Sequence, residues 1–183
     1  MKRRRFLHAS AAGLALSGLS GLASRYARAA WAAERKLYLY NVHTQESLTT
    51  VYWADGDYIA ESLRAVNRLL RDHRSGEVAT IDFTLLDSLQ RIAITMDTNE
   101  PFQVISGYRS VNTNQELHAA DEQGVSANSL HTRGMAVDLY FEYTPLTHLH
   151  AAALAVAGGG VGFYSKGFIH LDAGAKRQWV GKS

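Results

Sequence analysis

The 183-residue chain has no cysteine. A disulfide framework is therefore excluded, and so is a lipid anchor on a cysteine behind an export signal. No stretch approaches the length of an apolar membrane span flanked by loops, so the expected mature product is soluble. Acidic residues are absent from the first 29 positions, which hold Lys2, Arg3, Arg4, Arg5, Arg25 and Arg28. Those six account for the overall charge of +2, because without them 13 basic residues face 17 acids, a net of about −4. An acidic remainder argues against nucleic acid as a partner. With 46% apolar residues, the chain can fill the core of one ordinary domain.

The basic start has the order of an export signal. Arg3-Arg4-Arg5-Phe6-Leu7 resembles the twin-arginine motif, a weakly apolar Ala/Gly/Leu stretch covers 11–23, and Ala27-Arg28-Ala29 has the small-residue pattern of a cleavage site. Residues 1–29 are thus expected to be a signal peptide recognised by the twin-arginine export machinery. A single domain over 30–183 would then act in the periplasm.

Beyond the signal there is no internal repeat. Residues 36–42 and 47–53 alternate and are rich in β-branched and aromatic side chains, which predicts a hairpin turning at 43–46. Asp57 is placed to cap a helix with an apolar stripe of Ile59, Leu63, Val66 and Leu70, ending near Gly76. Asp82 precedes a second stripe of Leu85, Leu89, Ile92 and Met96. A strand at 102–106, a turn at 107–110, a capping box Thr113-x-x-Glu116 and a loop at 121–129 follow. Residues 135–141 read as a strand, and Thr144-Pro145 opens a helix that Gly158 to Gly160 stop. Two short strands at 161–164 and 168–171 complete the pattern. The expected fold is α+β, a small central antiparallel sheet with flanking helices.

Three residues stand out for their chemistry. His131 and Asp138 lie seven apart, and His170 follows in Phe168-Ile169-His170-Leu171-Asp172. Two imidazoles and a carboxylate suit a mononuclear zinc site on the sheet with a fourth tetrahedral position free for water, the form of a catalytic rather than a structural site. Gly134 fits a close approach of the chain to the metal. A histidine on so apolar a strand as 168–171 also suits a satisfied core position, and spacing alone does not separate the two.

The surrounding residues resemble a known family. Ser129-x-His131-x-x-Gly134-x-Ala136-x-Asp138 is similar to the first zinc motif of the peptidoglycan peptidases grouped with lysostaphin, the zinc D-alanyl-D-alanine peptidases and the hedgehog signalling domain. Ser106-Gly107-Tyr108-Arg109-Ser110 is similar to a second segment of that group. Likeness is greatest to a twin-arginine-exported subgroup of murein endopeptidases, in which the hairpin, the 70–74 helix end and the segment from Gly159 to Asp172 recur in this order. It covers nearly all of the mature chain.

The resemblance implies one Zn2+ per chain on His131, Asp138 and His170, peptidoglycan stem peptides as substrate, and Arg109 facing that substrate. Arg109 would clamp a peptide carboxylate or stabilise an oxyanion, and as a surface ion-pair residue it would be ordinary. Ser129 is a substrate-binding candidate or a loop residue. The wider group carries an acid three positions, or a histidine two positions, before its last ligand, where this chain has Gly167 and Phe168. Asp172 then becomes the candidate proton acceptor, or else the partner that orients His170. The alternative to a peptidase is a non-catalytic, zinc-containing cell-wall binding module. A monomer is the simplest state for a single small domain.

Overall fold

A computed structural model describes residues 34–120 and 125–181. The expected signal at 1–29 and the first four residues of the expected loop at 121–129 lie outside them. The predicted hairpin forms from β1 (Glu34–Asn41) and β2 (Ser47–Ala54), antiparallel with Leu37 opposite Thr50. Asn41 holds its turn, since its Oδ1 accepts from the backbone amides of His43 and Thr44 at 3.0 and 3.1 Å.

Asp57 does not cap the next helix. With Tyr58 it forms β3 (Asp57–Tyr58) against β2, and α1 (Ala60–Leu69) starts at Ile59 without a side-chain cap. Pairing with Trp53 and Ala54 takes the backbone that a cap would need, and the helix stops at Leu70 rather than near Gly76. By contrast, Asp82 caps α2 (Phe83–Thr95) as its position predicts, accepting from Thr84 N at 2.7 Å.

β4 (Phe102–Ser106) leads through the 107–110 turn into α3 (Val111–Ala119). Ser110, rather than Thr113, is the cap of α3, and its Oγ accepts from Thr113 N. The helix therefore begins one turn earlier than the Thr113-x-x-Glu116 box suggests. A 3-10 turn at Leu130–Arg133 precedes β5 (Ala136–Tyr140). Pro145 caps α4 (Leu146–Val156), one residue later than expected, because the Thr144 hydroxyl is engaged with Glu100 at 2.7 Å. β6 (Gly160–Tyr164), β7 (Phe168–Asp172) and β8 (Arg177–Val180) end the fold.

The α+β class holds, but the sheet is neither small nor purely antiparallel. It has eight strands in the order β3-β2-β1-β4-β5-β7-β6-β8, and the β1/β4 and β6/β8 pairs are parallel. One apolar core lies on its helical side, where Leu37, Leu39, Val137, Leu139, Ile169 and Leu171 meet Val66, Leu85, Leu89, Leu149 and Ala153. Truncating one such leucine to alanine costs about 2–5 kcal/mol through lost burial and the cavity left. Because side chains alternate along a strand, Asp138 and His170 point the other way. Among the described residues no helix is long and apolar enough to cross a membrane.

Candidate metal centre

The sheet register assembles the site. Ser106 on β4, Asp138 on β5, His170 on β7 and Gly162 on β6 are successive cross-strand partners and form one row across four strands. His131 arrives from the 3-10 turn above that row. Its turn is held by the Ser129 hydroxyl, which accepts from His131 N at 3.4 Å, and by Arg109 N, which donates to His131 O at 3.2 Å. Gly134 closes the turn with φ +66°, and a Cβ there would fall 2.2 Å from Thr80 O. Glycine is thus required by packing against Thr80 and by its left-handed angle, not by an approach to the metal.

The ring orientations decide what the three residues can do. His131 Nδ1 sits 2.7 Å from Gly107 O, which only accepts, so that nitrogen carries the proton and Nε2 presents its lone pair. His170 has a carboxylate on each nitrogen, Asp172 Oδ2 at 3.1 Å from Nε2 and Asp138 Oδ1 at 2.8 Å from Nδ1, so with a metal bound the proton would stay on Nε2 and Nδ1 would turn its lone pair inward. Those two lone pairs converge on Asp138 Oδ1. The distances are 3.3 Å from His131 Nε2, 2.8 Å from His170 Nδ1, and 3.2 Å between the two nitrogens.

A tetrahedral zinc with bonds of about 2.0–2.1 Å holds its ligand atoms about 3.3 Å apart, close to two edges of this triangle, the third at 2.8 Å being shorter. With Nδ1 of His170 unprotonated, three acceptors face one another and a cation between them would balance them; a proton on that Nδ1 is the alternative. The donor set therefore fits a metal, and among the described residues it is the cluster of histidines and acids that does so.

Charge is arranged to suit. Burial holds the His131 pKa down at about 4, so the imidazole is neutral, as a ligand must be. Burial alone would raise the Asp138 pKa, but His131 and Arg109 outweigh it and keep the carboxylate ionised. For His170 burial pulls downward, and the carboxylates on its two nitrogens win, raising its pKa. Without a metal, a proton on Nδ1 is the natural substitute cation.

Asp172 is fully buried and sits on the far side of the His170 ring from Asp138. Gly160 N, Gly174 N and a two-pronged Arg177 also donate to it, the latter at 2.7 and 3.1 Å. These bonds outweigh burial and hold its pKa below the usual carboxylate range. The expectation that Asp172 reaches the open side as proton acceptor does not fit this placement, whereas orientation of His170 does. Arg109 donates from Nε to Ser106 Oγ at 2.7 Å and from Nη2 to Asp138 Oδ2, so it borders the site through the ligand carboxylate.

A cleft of about 340 Å³ opens over His131, Asp138 and His170, and Arg109 and Ser129 line it. Tyr164 and Trp179 form part of its wall, the Trp179 ring 5.2 Å from that of His170. Tyr164 reaches the cleft, while Tyr52 and Tyr58 turn to Asp87. Arg177 and Trp179 escaped the sequence reading because β8 is a four-residue strand, too short to show a period. Their one signal was the alternation of Arg177 and Trp179. His148 and His150 lie on α4 away from the metal cluster, and His150 packs on Phe163 with its ring centre 5.1 Å away.

The chain is similar to known proteins over most of its length. A family described as "Peptidoglycan L,D-endopeptidase MepK" matches residues 29–179. The peptidoglycan L,D-endopeptidase MepK of Escherichia coli (strain K12) is 41% identical over 146 residues, 79% of this chain and 80% of that protein. The probable peptidoglycan L,D-endopeptidase MepK of Haemophilus influenzae is 32% identical over 149 residues, 80% of each chain.

Proposed function

The chain belongs to the peptidoglycan L,D-endopeptidase MepK family, and on that premise we propose that it is a periplasmic zinc metallopeptidase hydrolysing peptide cross-links or stem peptides of peptidoglycan. The observation that carries the chemistry is the triangle of acceptor atoms on His131, Asp138 and His170 beneath an open cleft. A zinc bound there supplies a water acidified towards neutrality and polarises the scissile carbonyl.

The remaining work falls to the chain's own groups. Gly107 O and Asp172 fix the two imidazole tautomers, so both lone pairs stay aimed at one point. Arg109, held by Ser106, balances the Asp138 charge and keeps its carboxylate from rotating. Its position on the cleft wall supports a further role, holding a peptide oxygen as it gathers negative charge. Ser129 shapes the ligand turn and lines the same cleft. Export by the twin-arginine pathway, supported by the pattern at 1–29, brings a monomeric enzyme to its substrate.

Purified protein incubated with cross-linked muropeptides tests the reading. Products that vanish on chelation and return with zinc are expected. Zinc binding without any product would instead make the chain a wall-binding module.

A further inference from the structure

Next to the metal cleft lies a second one of about 240 Å³, reaching from Asp138 towards the β1–β2 turn and the α1–α2 loop. Ile105, Leu117 and Phe168 contribute apolar lining, and its charged residues besides Asp138 and Arg109 are Arg74 and Lys166. Arg74 comes from the loop after α1 and Lys166 from the turn between β6 and β7, so two distant segments bring cations to one hollow. Arg109 is committed to Ser106 and Asp138. Asp72, the acid beside Arg74 in sequence, is buried and engaged by Ser110 N, Arg74 N and the Ser75 hydroxyl.

Arg74 and Lys166 are both exposed, and among the described residues neither side chain has an ion-pair or hydrogen-bond partner. His43 and His73 also line this cleft, stacked with ring centres 3.9 Å apart. Burial and the neighbouring His43 and Arg74 hold His73 down at about pKa 4, so it stays neutral and adds polarity rather than charge.

Resting on the peptidase reading, we propose that this second cleft is a carboxylate subsite, in which Arg74 and Lys166 bind a free carboxylate of the peptide whose scissile amide lies over Asp138. A peptide offers a fixed anion only as a carboxylate, and the apolar lining suits the carbon chain that bears it. The guanidinium gives a two-pronged grip and the ammonium a point charge, which together fix orientation as well as charge. The enzyme would then select peptides with a free acid near the cleaved bond over their carboxamides.

The test is calorimetry on the zinc-loaded full chain with a stem tetrapeptide and with the same peptide fully amidated. The wild type is expected to bind the carboxylate form about tenfold tighter or more, the size of one charge-assisted hydrogen bond. The double variant Arg74→Gln/Lys166→Gln is expected to bind both forms alike, and since both side chains are exposed its Tm should match the wild type. A wild type without preference, or a preference kept in the double variant, overturns the subsite. Failure of the peptidase reading shows separately, as a wild type without chelator-sensitive hydrolysis, and leaves the binding comparison intact.

Discussion

Asp87 and Asp138 both sit among arginine and ring partners, and of the two Asp138 belongs to a group that could hold a metal ion. At one end of the sheet, Asp87 accepts from Arg35 at 2.8 Å and from the hydroxyls of Tyr52 and Tyr58 at 2.8 and 3.4 Å. Every neighbour is a donor, so the cluster is closed. On β5, inside the sheet, Asp138 meets one fixed donor, Arg109, and two imidazoles that each have a second acceptor, Gly107 O or Asp172, on the opposite nitrogen. That cluster has a surplus of lone pairs. A carboxylate thus becomes a ligand when its neighbours' protons are anchored elsewhere, not when it is merely buried.

The sharpest way to break this contrast is to remove each carboxylate in turn. Asp138→Ala is expected to lose bound metal and all detectable hydrolysis, read by metal content and muropeptide cleavage. Asp87→Ala should keep one metal per chain and instead destabilise the fold by about 2 kcal/mol or more, seen in chemical denaturation, because the partly buried Arg35 loses its carboxylate. Equal metal loss in both variants would erase the distinction.

A smaller effect is expected at Asp172. Asp172→Asn keeps a polar group on His170 Nε2 but frees the ring to turn, and metal affinity should fall about 10- to 100-fold in a competition titration. If affinity is unchanged and only kcat drops, Asp172 moves protons rather than orienting the ring.

The smallest effect concerns pH at the His43–His73 stack. His73 has a folded pKa of about 4 against 6.5 for the free side chain, so only the neutral form is at home in the fold. Its stabilising share is therefore complete above pH 6.5 and is lost as the pH falls through about 4. His73→Gln should flatten the stability curve in that window, measured as Tm against pH, with a modest amplitude because the ring is partly exposed.

Much of the fold was readable locally. Alternation gave the β1–β2 hairpin, and 3.6-residue stripes gave α1 and α2. What escaped were β3 and β8, two and four residues long, and the parallel β1/β4 and β6/β8 pairs. Neither leaves a local signal, since short strands carry no period and parallel partners are joined only through long connections. The stacking of His43 on His73, which sequence alone leaves as solvated surface, depends on the same long-range pairing.

At the site, residue type together with the likeness to a known family's motifs singled out His131, Asp138 and His170, because metal ligation demands chemistry that few residue types supply. Sequence could not say which ring nitrogen faces inward, and on that depends whether Asp172 serves the water or the histidine. Cross-strand register placed Asp138 opposite His170, and the Gly107 carbonyl and Asp172 then fixed the tautomers. The chain itself named the three candidate ligands, while the tertiary structure decided their orientation, since a proton's position on imidazole depends on the acceptors the fold brings to each nitrogen.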